Sequence, residues 1–290
     1  MVRYIRRDSY VSRSGNTGVT YCAHIGNNVL TSLWSLLYII KQINMEKVAL
    51  IDGDSLLYYE MGKPTLEEAM EGLDIRIRQI LNFAEVTSYA GFLTLSKCFR
   101  YDIAKTRPYK YNRKGGAPKP PIFYALKEYI QQEWGFYGIK GLEADDLVGL
   151  FKAENTIICS PDKDVLRQLS GTHFNYGKQE YITTTEEQSH KFLLTQILMG
   201  DSTDGIPGIP KVGEKTATKW VEEKPELSMV LEKYQEKFGI QEGIHKFAET
   251  FNLVYLLRTS KEAELYIDES ELILNLNNWV EEVKEDDSDW

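Results

Sequence analysis

Cysteine and histidine are scarce. The three cysteines, Cys22, Cys98 and Cys159, are scattered, odd in number and without CxxC spacing, which argues against a disulfide framework or a zinc site and fits a reducing, cytoplasmic compartment. The four histidines, His24, His173, His190 and His245, show neither metal-ligand spacing nor pairing with Ser or Cys, so they read as surface or packing residues. A long apolar run is also lacking. Residues 29–40 form the longest, roughly 12 residues against the roughly 20 that a membrane helix needs, so no membrane partner is expected. Basic residues precede that run, but it starts late and leads into Lys41 without a small-residue cleavage site, which argues against secretion. Residues 1–44 therefore read as an extension of uncertain role, outside the fold. Met45, directly before EKVALID, reads as the initiator on that account.

Net positive charge is missing too: 34 Lys and Arg stand against 43 Asp and Glu, for a formal charge of −9, where a nucleic-acid binder is ordinarily basic. Distribution outweighs the sum. Within residues 97–119 lie Lys97, Arg100, Lys105, Arg107, Lys110, Arg113, Lys114 and Lys119 against the single acid Asp102, a local field suited to phosphates. The acids concentrate in motifs and in residues 279–290, which read as a solvated tail. The alternative for that tail is docking on a partner, or competition with DNA for the basic segment.

With 290 residues, 42% of them apolar, the chain can bury a core for one large domain, or for a domain with a satellite. Residues 45–184 alternate short apolar runs with amphipathic stretches, which predicts an α/β fold: a mostly parallel sheet flanked by helices. The expected central strands are residues 48–51, 89–95, 136–139 and 156–159. Leu66, Ala69, Met70, Leu73, Ile77, Ile80 and Leu81 recur at helical spacing. Ile122, Phe123, Leu126, Tyr129 and Ile130 do so again after Pro120 and Pro121. Between them runs the basic segment, punctuated by Pro108, Gly115, Gly116 and Pro118, too long for an ordinary connection. Residues 185–278 read as a smaller helical subdomain interrupted by GDSTDGIPGIPKVG.

The carboxylates fall where strands of a parallel sheet end, the edge at which such sheets bind ligands. Asp52 and Asp54 follow VALI; Glu143, Asp145 and Asp146 follow GFYGIKGL; Asp162 and Asp164 follow TIICSP; Asp201 and Asp204 follow an apolar helix. Any one pair reads as well as a helix cap or dipole partner. The ensemble reads differently, because gathered carboxylates repel one another and call for protons or cations. All-oxygen donors favour Mg²⁺ or Mn²⁺ over zinc. Two such ions would serve phosphodiester hydrolysis without a protein nucleophile.

IDGDSLLYY, PYKYNRK, GLEADDLVGL, SPDKD and GDSTDGIPGIPKVGEKTA, in this order, resemble the bacteriophage flap endonuclease and 5′-3′ exonuclease family, and are similar to the 5′ nuclease domain of bacterial DNA polymerase I. The resemblance spans residues 47–220. It implies a PIN-like 5′ nuclease fold with an arch, here at about residues 97–119, that admits a 5′ single strand. By position it implies Asp52, Glu143 and Asp145 as ligands of a first metal, with Asp146 beside them, and Asp162, Asp164, Asp201 and Asp204 as ligands of a second; Asp52 and Asp162 double as catalytic positions. Lys110 and Arg113 match arch residues aimed at the scissile phosphate, a compact charge and a forked donor. Lys105, Arg107, Tyr109 and Lys114 are expected to contact DNA around them, with Tyr109 and Tyr111 stacking on unpaired bases.

GIPGIPKVG resembles the helix-turn-helix variant that holds duplex DNA in this family. Gly205, Gly208 and Gly213 allow tight turns and close approach to phosphate, the following helix start offers free amides, and Lys211 and Lys215 are phosphate contacts. A K⁺ ion bridging the Gly205–Gly213 loop to DNA is implied by resemblance. One position departs. The family pattern has an Asp after the second strand, where LTLSKCFRYDIAKT places Leu95 or Ser96, and Asp102 lies too far into the arch to replace it. Asp54 or a water would have to serve.

The expected function is a monomeric, structure-specific 5′ nuclease acting on DNA ends, flaps or branches, or on RNA primers in RNA-DNA hybrid, during replication or repair in a bacterial or phage-infected cytoplasm. One alternative is a non-catalytic branched-DNA binder, against which the retention of eight candidate ligands argues. The other is a PIN-type ribonuclease, which has no need of the GIPGIPKVG clamp.

Overall fold

The computed structural model describes residues 3–4, 47–113 and 118–266. Lys114, residues 5–46 and the acidic tail lie outside the described residues; of residues 1–44, expected outside the fold, Arg3 and Tyr4 instead pair with Tyr89 and Ser88 at the sheet edge. The fold is α/β. A six-stranded sheet runs in the order β1-β3-β2-β4-β5-β6, where β1 is Arg3–Tyr4, β2 Val48–Asp52, β3 Ser88–Phe92, β4 Thr156–Cys159, β5 Gly171–Asn175 and β6 Glu180–Thr184. Its four central strands are parallel, and β1 and β6 pair antiparallel at the two edges.

Every residue of β2 and β3 is buried, as strands covered by helices on both faces require. On one face lie α1 (Asp54–Glu60), α2 (Leu66–Phe83) and α4 (Pro121–Trp134), whose Leu73, Ile77, Leu126 and Ile130 meet Ala49 and Ile51; the short α3 (Arg100–Ile103) comes between α2 and α4 in the chain. On the other, α5 (Ala144–Leu150) and α6 (Lys163–Gln168) set Leu147, Val148 and Val165 against Val48 and Leu50. The boundaries have local causes. Thr65 accepts the Glu68 amide at the head of α2, Pro121 opens α4, and Gly135, at φ 63°, closes it.

Residues 136–139 do not form the expected strand. They make a single bridge, Tyr137 to Phe92, because Phe136 turns into the slot left by two glycines. A Cβ on Gly91 would lie 2.4 Å from its ring, and one on Gly53 2.6 Å. The sequence signal was burial, which strand and buried crossing share.

From α7 (Glu186–Met199) onward the chain is helical: a two-strand hairpin, β7 (Gly200–Asp201) with β8 (Ile206–Pro207), then α8 (Glu214–Glu223), α9 (Leu227–Phe238), α10 (Ile240–Val254) and α11 (Ser260–Ala263). These helices share a third core, containing Leu194, Ile197, Val230 and Tyr234, into which Cys98 and Tyr109 of the basic segment also pack. Among the described residues no helix is long and apolar enough to cross a membrane.

Candidate active site

Register places the site. Asp52 pairs with Phe92, and Ile51 with Cys159, so β2, β3 and β4 end together and their carboxyl-end loops meet. Asp52 is buried, its Oδ2 taking the Ser160 hydroxyl at 3.0 Å and its Oδ1 the Asp54 amide at 3.1 Å. Asp54 reaches toward the end of β3, where its Oδ1 takes the Thr94 amide at 3.0 Å.

Glu143 caps α5 in a reciprocal box with Asp146, and Asp145 follows one residue into that helix. Asp146, expected beside the first metal, is elsewhere engaged. It is fully buried, and Arg100 holds both its oxygens at 2.6 and 2.8 Å, which removes it from the ligand set. Arg100, counted among the phosphate-facing basic residues, is accordingly a core residue: it also donates to the carbonyls of Leu253 and Tyr255, at 3.0 and 2.7 Å.

Asp162 caps α6 through the Asp164 amide at 2.7 Å, and Asp201 caps the hairpin turn through the Thr203 amide at 2.7 Å. These acids are therefore caps as well as members of a cluster. Across them lies a strap, residues 105–113, ending in a 3-10 turn at Tyr111–Arg113. Lys110 Nζ stands 2.5 Å from Glu143 Oε1 and 3.7 Å from Asp204 Oδ2, and Arg113 stands 2.5 Å from Asp204 Oδ1. The Tyr109 hydroxyl lies 2.9 Å from both Glu143 and Asp204.

The electrostatics are those of crowded anions. Asp52 is raised to about 7 by burial and by Asp54 and Asp162. Asp164 is raised to about 7 by burial and by Asp162. Burial raises Asp54 and Asp162 too, and Asp145 goes well up through burial and the charges of Asp52 and Asp162. Glu143 goes the other way: burial alone would raise it, but Arg100 and Lys110 hold it below its ordinary value. Asp164 Oδ1 is buried without a hydrogen-bond partner. An all-oxygen donor set, strongly self-repelling and with such an orphaned acceptor, fits hard divalent cations. Among the described residues no three His, Cys, Asp or Glu side chains form a ready cage; Glu143 and Asp204 are held by the strap.

A family model described as "5'-3' exonuclease, C-terminal SAM fold" matches residues 188–279. A 5′-3′ exonuclease of Bacillus subtilis is 30% identical over 273 residues, covering 76% of this chain and 88% of the relative. The chain belongs to the 5′-3′ exonuclease family. A 5′-3′ exonuclease of Buchnera aphidicola is likewise 30% identical, over 59% of this chain and 68% of that one. In fold, the chain is similar to a bacteriophage T5 protein crystallised with metal ions, with TM-score 0.65 at 16% identity, covering 81% of this chain and 98% of that one.

For this family member the basic strap is more tightly seated than its sequence suggested. Tyr109 is buried, edge-on to Tyr101 at 5.2 Å, so it has no face to offer a base. Tyr111 is 40% exposed, with the Arg107 guanidinium 4.6 Å over its ring. Lys105 Nζ donates to the Asp102 carbonyl.

In the GIPGIPKVG element the glycines differ in what they do. Gly205 has φ 71° and lies under Tyr111, where a Cβ would come within 2.5 Å. Gly208 is required by packing: a Cβ would lie 2.2 Å from the Met199 backbone. Gly213 has an ordinary φ of −105° and open space around it, so the expected tight turn is not there. It caps α8 without a side chain, and Lys211 and Lys215 beside it are exposed. The sequence reading missed Thr94 and Ser160, placed Arg100 with the phosphate-facing cations, and held Asp54 only as a stand-in for the missing acid. Thr94 and Ser160 stand in no run of like residues, so only the fold reveals their contacts.

Proposed function

We propose that this chain is a divalent-metal-dependent, structure-specific 5′ nuclease that hydrolyses phosphodiester bonds of DNA at 5′ ends and flaps, including RNA primers paired to DNA, in replication or repair, as a cytoplasmic monomer. One observation carries the reading. Carboxylates from β2, α5, the β4–α6 turn and the β7–β8 hairpin converge beneath Lys110 and Arg113. Two Mg²⁺ or Mn²⁺ ions held by Asp52, Asp54, Glu143, Asp145, Asp162, Asp164, Asp201 and Asp204 would supply charge neutralisation and an acidified water for hydrolysis.

The protein's own groups do the rest. Lys110 and Arg113 present a point charge and a forked donor to a phosphate drawn over the carboxylates. Ser160 and the Asp54 amide fix both oxygens of Asp52, so the carboxylate needs little reordering when a ligand arrives. The cap-free start of α8, with Lys211 and Lys215, suits a duplex phosphate, and the Gly205–Gly213 loop would hold a K⁺ ion, which would supply further positive charge there.

Incubation with a 5′-flap DNA and a matched RNA, in Mg²⁺, Mn²⁺ or chelator, tests this. Metal-dependent cleavage of the flap is expected; cutting of neither substrate overturns the enzyme reading, and cutting of RNA alone favours the PIN-type alternative. Asp162→Asn should nearly abolish hydrolysis while leaving the fold intact, since it removes a charge from a repulsive cluster.

A further inference from the structure

Both ends of the strap are held from the helical subdomain rather than from the sheet. At its start, Glu249 of α10 accepts the consecutive amides of Lys105 and Thr106 on one oxygen, each at 2.6 Å, and the Thr106 hydroxyl on the other at 2.5 Å. At its end, the Asn112 amide donates to the carbonyls of Ser202 and Thr203 at 2.9 Å, and the Lys110 amide donates to the Asp204 carbonyl at 2.8 Å. Between these points Tyr109 is packed in the helical core.

The neighbour of Glu249 extends the connection. Thr250 is buried and donates its hydroxyl to the Pro207 carbonyl, inside GIPG, at 3.0 Å. Adjacent residues of one helix thus grip the strap that carries Lys110 and the loop that leads to the duplex-facing helix start.

We infer that Glu249 is a positioning residue: it sets where Lys110 stands over the carboxylates, and with Thr250 it ties that position to the seating of the GIPGIPKVG loop. The inference rests on the nuclease reading for its kinetic consequence alone. The contacts of Glu249 are with Lys105 and Thr106 at the start of the strap, away from the carboxylates that Lys110 and Arg113 meet. It acts by removing freedom from backbone that would otherwise let Lys110 wander, and misplacement of about 1 Å in a catalytic group costs on the order of 100-fold.

The test uses the full chain, a 5′-flap DNA with Mg²⁺, and the variants Glu249→Ala, Glu249→Gln, Lys110→Ala and Glu249→Ala with Lys110→Ala. Glu249→Ala should lower the single-turnover rate about 10- to 100-fold with little change in flap affinity. Glu249→Gln, whose amide oxygen can still accept both backbone amides, should recover most of it. In the Lys110→Ala background the Glu249→Ala change should have no further effect, because the residue acts through the strap. Trypsin cleavage after Lys105 of the free protein should be faster in Glu249→Ala at unchanged melting temperature. Additive rate losses in the double variant, or unchanged trypsin cleavage, would overturn the inference. Should the parent cut no flap, the nuclease reading falls and the trypsin comparison alone decides the anchor.

Discussion

Replacing Arg100 separates two accounts of the basic segment sharply. Arg100 is 2% exposed and Asp146 fully buried. The guanidinium spends its donors on both oxygens of Asp146, on Glu143 at 3.2 Å, and on the carbonyls of Leu253 and Tyr255. Arg100→Ala leaves a carboxylate charged and without its counter-charge in a dry core, a loss of about 3–5 kcal/mol. At about 2–4 °C per kcal/mol for a chain of this class, the melting temperature should fall by about 6–20 °C in thermal unfolding followed by circular dichroism. Arg100→Lys should rescue little, because one ammonium cannot fork across a carboxylate and also reach two carbonyls. Arg100→Met combined with Asp146→Leu should recover much of the loss, since it leaves no buried charge behind. Were Arg100 a phosphate contact instead, Arg100→Ala would leave the melting temperature alone and reduce the salt dependence of DNA binding by about one phosphate. A melting temperature within about 2 °C of the parent would refute the buried-pair argument.

Asp54→Asn should weaken Mn²⁺ binding, read by calorimetry without DNA, by about 10- to 100-fold while leaving stability in chelator equal or higher, since it relieves the repulsion that raises Asp52. Unchanged Mn²⁺ affinity would remove Asp54 from the ligand set. Stability should also depend on pH in a sense opposite to that of ordinary paired carboxylates. Asp52 and Asp164 are raised to about 7 by burial first and neighbouring charge second, far above the roughly 3.9 of an unfolded Asp. The folded state therefore binds more protons. The stability these groups contribute is complete below about pH 4 and is lost as pH rises through about 7. In chelator the melting temperature should fall between about pH 5 and pH 8, and Mg²⁺ should flatten that fall. A melting temperature that rises over this interval in chelator would contradict the crowded-carboxylate electrostatics.

Periodicity and strand chemistry made much of the α/β half legible. Three of the four strands expected, and the helices carrying Leu73, Ile77, Leu126 and Ile130, stand where apolar spacing puts them. Strands β5 and β6 escaped because GTHFN and EYITT are short, partly exposed and rich in polar residues without alternation, a pattern shared with loops. In the site, motif order located the carboxylates, but local sequence carries no sign of burial for a charged side chain. Asp145 and Asp146 are adjacent and identical, yet one faces the acids of the cluster and the other faces Arg100. A helix rotates successive residues by about 100°, and only the packing of α5 against residues 253–257 decides which of the two points inward. Lys110 and Arg100 differ in the same way: both are cations of one run and both touch Glu143, but Arg100 does so from the core, while Lys110 lies over the carboxylates on the strap.

The departure after the second strand follows from the same geometry. Where the family pattern carries an acid, this chain carries Thr94, Leu95 and Ser96, and the end of the strand is used as a donor instead. The Thr94 amide donates to Asp54, while its hydroxyl takes the Ala144 amide at 3.0 Å. Lys127 caps the Thr94 carbonyl at 2.6 Å, and its charge, with that of Lys119, opposes the rise that burial imposes on Asp54. Leu95 packs against the core on the α4 face, and Ser96 is exposed with its hydroxyl turned to the Lys97 carbonyl. The carboxylate therefore reaches the edge from α1 rather than from β3.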